Sequence, residues 1–366
     1  MHDKIIFGSR DAMWLMMNMV CAKLALNAIR VLEETAGNAS WLLCIYLIIL
    51  ANIGLFLVFK LFERFPGKDI IDIAYEVSGS PGRIIVGLTI VLTQLFVILL
   101  FFRGYAEHTK IVALTVSPIS FITSFFIICM VIACFFGLEP LVRLHSIIIP
   151  LVAVLFSLIL MLSLPQCQFE NLLPVLGLGA DKIFLGGTLK LSIFQELTFL
   201  FLLPPFLVSF NKFKSAGYKF INLSGFFYLS LCLVFGTIFP YSAAIESIIP
   251  VYSVSRVIFW GRLIQRIESI FFMMWSLASV FFLSASMYFI IYSFAKTLKL
   301  PYIKPLIIPF AIIIFTITLL PQRLLDVTAL VEYYYNLGWA PAFVLPLILL
   351  IISILFRKGG KQNAQT

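Results

Sequence analysis

The chain has 366 residues, of which 62% are hydrophobic and 12% charged, with 38 phenylalanines and a formal net charge of +9. Soluble domains carry about 45–50% apolar and about 25% charged residues, so a water-facing fold cannot cover this much apolar surface. That excludes a soluble enzyme, a disordered tail and a nucleic-acid module, and leaves membrane topology to explain the positive charge.

Continuous apolar runs such as Ser120–Cys134 and Ser146–Leu164 lack the period-two alternation of a lipid-facing barrel, so helices are expected. A bilayer span takes about 20 residues. In chain order the expected spans are 12–32, 39–61, 84–103, 119–137, 146–164, 188–209, 220–240, 268–292, 305–320 and 340–356. The whole chain, 1–366, reads as one all-α integral membrane domain of about ten transmembrane helices. The first run lacks a small-x-small cleavage site and reads as a retained span.

Polar residues inside these runs are where function is sought, because a charge in hydrocarbon costs about 2.5–3.5 kcal/mol on insertion scales. In the first span Lys23 lies about 11 residues in, or roughly 16 Å, near the midplane of a core about 30 Å thick. Lys23, Asn27, Arg30 and Glu34 share one helical face, which must meet protein or water. In the third span Thr89, Thr93 and Gln94 form a weaker polar cluster. The loop 165–187, with Pro165, Pro174 and four glycines, is expected to dip into or lie along the outer surface. The sixth span carries Ser192, Gln195 and Glu196 between Gly186-Gly187 and Pro204-Pro205, so it is soft at both ends. Glu196 at this depth suits an ammonium group, a proton or Lys23 itself; a static Lys23–Glu196 pair is the plainer alternative.

The loop 241–266 reads as an interfacial amphipathic helix. In the eighth span Glu268, Trp275, Ser279 and Ser286 fall on one face, as a site or as close helix packing. Trp41, Trp260, Trp339 and Tyr333-Tyr334-Tyr335 are expected in the outer headgroup layer. His2, His108 and His145 are placed in tails or loops. The six cysteines read as scattered apolar fillers. No metal, cofactor or catalytic constellation is expected, and none of the spacings suggests an enzyme. Lys and Arg fall about 16 to one face and about 9 to the other, which puts both termini in the cytoplasm.

Five stretches resemble, in order, the B-subunit family of bacterial spore germinant receptors. They are Arg64-Phe65-Pro66-Gly67-Lys68; Gly137-Leu138-Glu139-Pro140 with Arg143; Leu164-Pro165 with Asn171-Leu172-Leu173-Pro174-Val175; Glu196 with Leu203-Pro204-Pro205-Phe206; and Arg266-Ile267-Glu268 with Trp275. The resemblance implies the fold of amino acid–polyamine–organocation transporters, an inverted five-plus-five repeat whose first and sixth helices unwind around a central site. On this chain those positions are about 20–24 and 192–196, although no Gly or Pro stands between Asp11 and Ala36. It further implies a small nutrient ligand, commonly an amino acid, and a complex with A and C subunits in the inner spore membrane. Lys23, Asn27, Thr93, Gln94, Ser192, Gln195, Glu196, Trp275 and Ser279 are the expected ligand-binding residues. An ion- or proton-coupled amino-acid transporter is the rival reading.

Overall fold

The computed structural model describes residues 6–258, 267–321 and 324–359. Its first half runs through α1 (Ser9–Cys21), a 3-10 turn (Ala22–Ala25), α2 (Ala28–Ala36), α3 (Ser40–Arg64), α4 (Ile70–Val112), α5 (Ile119–Phe136) and α6 (Leu138–Ser163). A π turn (Lys182–Gly186) and a 3-10 stretch (Gly187–Phe194) then lead into α7 (Leu197–Leu200) and α8 (Phe210–Ile238). The remainder is α9 (Tyr241–Ala244), α10 (Pro250–Val257), α11 (Ile267–Thr297), α12 (Ile307–Leu319), α13 (Leu324–Leu337) and α14 (Trp339–Leu355).

Among the described residues, seven helical stretches are long and apolar enough to cross a bilayer, and Lys304–Leu319 is a shorter apolar one. The expected first and sixth spans are each interrupted. Helix α11 packs along α4, α5 and α6, while α1 lies against α6 and α8, and α3 against α8. Outward-facing stripes are apolar: Phe121, Phe125, Ile128 and Ile132 of α5 are all exposed, as a helix face meeting acyl chains requires.

Several expectations change at the element ends. α4 joins two helical pieces at Gly79, whose φ of 70° and ψ of −156° lie outside helical geometry and favour a residue without Cβ; the expected span 84–103 lies within the second piece, and Ile70–Ser78 forms a helical piece before it. Its N-terminus is capped by Asp69, which accepts from Ile71 N and Asp72 N at 3.0 Å each. The last span also starts early. α13 runs into α14, so Tyr334 and Tyr335 are buried inside the bundle instead of lying in a headgroup layer, and only Tyr333 is exposed. His108 and His145 belong to α4 and α6 and are buried, not in loops. The described part of the 241–266 segment, up to 258, contains two short helices, and residues 259–266 lie outside the described residues. The second, α10, buries Val251 and Val254 against α6, α8 and α11. His2, Lys4, Trp260, Arg262, Arg266, Arg323 and Lys361 lie outside the described residues.

The short signature stretches act as clamps. Arg64 donates to the carbonyls of Ser353, Lys358 and Gly359 at 3.3, 3.0 and 3.3 Å, tying the end of α3 to the end of α14. Gly67, at φ 75°, turns the chain towards α4. Gly137, at φ 90°, makes the tight α5–α6 corner, and Glu139 pairs with Arg143 one turn on. Asn171 donates to Thr237 O at 2.9 Å, fastening the 165–187 loop to α8.

Candidate functional site

The first segment breaks without Gly or Pro. After α1 it tightens to a 3-10 turn; Leu26 then leaves helical geometry at φ −104°, ψ −133°, before α2 resumes. The sixth segment is irregular along its length: its winding changes at Gly186-Gly187, a turn at Gln195-Glu196 precedes the four-residue α7, and the chain leaves helical geometry after Pro204-Pro205, at Leu207 (φ −109°, ψ 145°). Irregular backbone at membrane depth is tolerated only where its polar groups find partners inside the protein. Both breaks meet that condition. Tyr228 donates to Val20 O at 3.2 Å, Lys23 donates to Ile193 O at 2.8 Å, and the Tyr334 hydroxyl lies 3.0 Å from Ser192 O.

Lys23 is the centre of this arrangement. Its ammonium has three protons and three acceptors: the Ile193 carbonyl, the Glu196 carboxylate in a salt bridge, and the Tyr334 oxygen at 3.1 Å. The rings of Phe101 and Tyr334 lie 5.6 and 5.5 Å from the same nitrogen. Lys23 and Glu196 are both completely buried. Each ion replaces the hydration of the other, and removing one partner strands a charge in the bundle. The pair therefore welds the two breaks together across 173 residues of sequence.

The other expected site residues separate into distinct surroundings. Ser192 joins the pair through its carbonyl, while its hydroxyl donates to Leu189 O at 3.3 Å. Gln195 and Gln94 are fully buried, and their amide atoms have no partner among the described residues. Thr93 turns its hydroxyl to Thr89 O on its own helix, at 2.7 Å. Ser279 does the same towards Trp275 O at 2.7 Å, and its helix face borders Tyr105. Trp275 stacks on Phe271 and lines a small apolar hollow of about 50 Å³ with Met17, Asn18, Cys21 and Ala22. Asn27 instead lines a larger polar chamber on the Arg30 side of the break.

Three groups of contacts involve residues that the sequence pattern does not single out as site residues. Tyr334 bridges Lys23, Ser192 and Glu196, yet a tyrosine triplet beside Trp339 looks like an interfacial anchor. Asn18 of α1 donates to Ala278 O at 3.1 Å and lies 3.3 Å from His145 Nε2, whose Nδ1 is 2.7 Å from Leu141 O. Asn18 and His145 thereby join α1, α6 and α11; an uncharged Asn in an apolar run was the available hint. At the other end Lys296 pairs with Asp69 and Asp72 at 2.5 Å each, and Tyr292 donates to Asp69 at 3.0 Å. This network latches α11 to the start of α4.

A family model described as "Spore germination protein" matches residues 9–327. The spore germination protein YndE of Bacillus subtilis (strain 168) is 26% identical over 242 residues, covering 62% of this chain and 62% of that protein. The chain thus matches about three-fifths of that relative's length. Among solved structures, a nucleobase-cation-symport-1 family transporter, in a closed conformation with bromovinylhydantoin bound, superposes with a TM-score of 0.63. That match covers 94% of this chain and 92% of the other at 13% identity, which establishes a shared fold.

Proposed function

The chain belongs to the spore germination protein family, and from that premise we propose that it is the B subunit of a germinant receptor. It binds a small nutrient, an amino acid by the chemistry of its polar groups, near the midplane of the inner spore membrane. Both termini face the cytoplasm, and A and C subunits are its partners. The observation that carries this reading is the Lys23–Glu196 salt bridge between two broken segments, deep in a transporter-type bundle. An amino acid carries the same two charges. Its carboxylate can replace Glu196 beside Lys23, and its ammonium can replace Lys23 beside Glu196. Moving Lys23 in that exchange would also release the carbonyl of Ile193, so the two breaks could repack. A ligand shifts a conformational equilibrium only by its differential affinity for the two packings, and the partner subunits would read that difference.

The test is made in spores carrying Glu196→Ala or Glu196→Gln. Both variants are expected in the membrane, at lower thermal stability because Lys23 loses its counter-ion, with the nutrient response lost when spores are compared at matched protein level. A normal response at normal protein level overturns the assignment. Transport is the second reading, favoured by near-complete coverage of a transporter fold. Labelled amino acids offered to vesicles containing this chain alone separate the two. Gradient-driven accumulation supports transport; a response that needs co-expressed partners, without accumulation, supports the receptor.

A further inference from the structure

The Lys23–Glu196 pair leaves unused the charged groups gathered around Asn27. A chamber of about 510 Å³ lies between α2, α4 and α13, within the size range of small-molecule sites. Its walls carry Arg30 and Glu34 from α2, His108 from α4, Lys190 from the 3-10 stretch and Glu332 from α13. Phe101 stands in the same wall and also covers the Lys23 ammonium. One aromatic ring therefore separates the chamber from the ion pair.

Among the described lining residues are two cations, Arg30 and Lys190, and two anions, Glu34 and Glu332. Arg30 is already held by Glu34 at 2.8 Å. Lys190, bonded to the neutral Asn336 amide oxygen at 2.7 Å, feels the carboxylates of Glu332 and Glu34. Glu332 is exposed at the rim. Two further polar atoms on the lining residues, Asn27 Oδ1 and His108 Nδ1, are buried without a partner among the described residues, and His108 is only 6% exposed.

We propose that this chamber is a second, outer binding site for a zwitterion, a free α-amino acid, captured here before it reaches the Lys23–Glu196 pair. The inference deepens the receptor reading and rests on it for its physiological purpose. Lys190 takes the carboxylate, Glu332 takes the ammonium, and Asn27 and His108 complete the hydrogen bonds. A net anion would meet Glu34 and Glu332, and a net cation would meet Arg30 and Lys190. A molecule carrying both charges fits both halves of the wall.

The test uses the full chain purified in detergent, with each of the twenty common amino acids as a probe of thermal stability. At least one is expected to raise the unfolding midpoint. Its carboxamide and its des-amino acid should bind at least tenfold more weakly. Lys190→Gln and Glu332→Gln, at partly open positions, should each weaken binding at least tenfold while leaving the unliganded midpoint in place. Lack of stabilisation by any amino acid overturns the proposal, as does unchanged binding in both variants or equal binding of the singly charged analogues. If binding follows the prediction but spores lacking the protein answer every nutrient normally, the chamber stands and the receptor reading falls. If Glu196 variants silence spores but the purified chain ignores amino acids, the reverse holds.

Discussion

Lys23 illustrates how a single side chain organises a membrane protein from within. Its three donors are matched by three acceptors drawn from residues 193, 196 and 334, so the ammonium is solvated by protein. Truncating one member of such a pair leaves the other charge bare, at a cost of about 3–5 kcal/mol. Lys23→Met is therefore expected to lower the unfolding midpoint of the purified protein sharply. Adding Glu196→Leu to it should recover most of that loss, since replacing both ions with apolar groups is often neutral. The nutrient response stays absent in the double variant if the pair is functional. A double variant no more stable than the single one would show that the two charges do not hold each other. The depth of Lys23 and the acidity of Glu196 were both legible in the sequence, because each interrupts an apolar run. Tyr334 was not, since a tyrosine beside a tryptophan carries the same signature whether it sits among headgroups or in the interior.

At the scale of the element, helix ends are held by side chains from distant segments. Asp69 caps α4 through two backbone N–H groups and at the same time receives Lys296 and Tyr292 of α11. The two roles can be separated. Asp69→Asn keeps a cap acceptor and loses the ion pair, whereas Asp69→Ala loses both; a missing N-cap alone costs about 0.5–2 kcal/mol. Thermal unfolding should rank native above Asp69→Asn above Asp69→Ala. Equal stability of the last two would remove the capping role. Lys296 keeps Asp72 at 2.5 Å in either variant, so the loss stays partial. The run of polar residues around position 69 reads as an ordinary loop in sequence. Hydropathy sees only the apolar core of α4, and so misses its first turns.

For the whole molecule, the bundle has two unlike ends. The Arg30 end carries the charged chamber, while other helix ends are tied by the Asp69–Lys296 network and the Arg64 clamp. The proposed topology, from the excess of Lys and Arg, has the tied end facing the cytoplasm. Single cysteines test this orientation in a chain whose six native cysteines are replaced. Glu34→Cys, on the chamber wall, should react with an impermeant maleimide added outside intact cells. Glu63→Cys, near the end of α3, should react only after lysis. The opposite pattern inverts the topology.

Composition and uninterrupted apolar runs determined the membrane setting, the helical class and the places where buried charge demands a partner. Those follow from transfer energies that each segment carries with it into any fold. That Tyr334 joins the Lys23–Glu196 pair, how each irregular segment is held, and that a chamber opens beside Asn27 were decided by the tertiary structure. The first segment unwinds with neither Gly nor Pro because Tyr228 and the Lys23 network, reaching across α8, the sixth segment and α13, stabilise the broken backbone. A local sequence window contains none of those contacts.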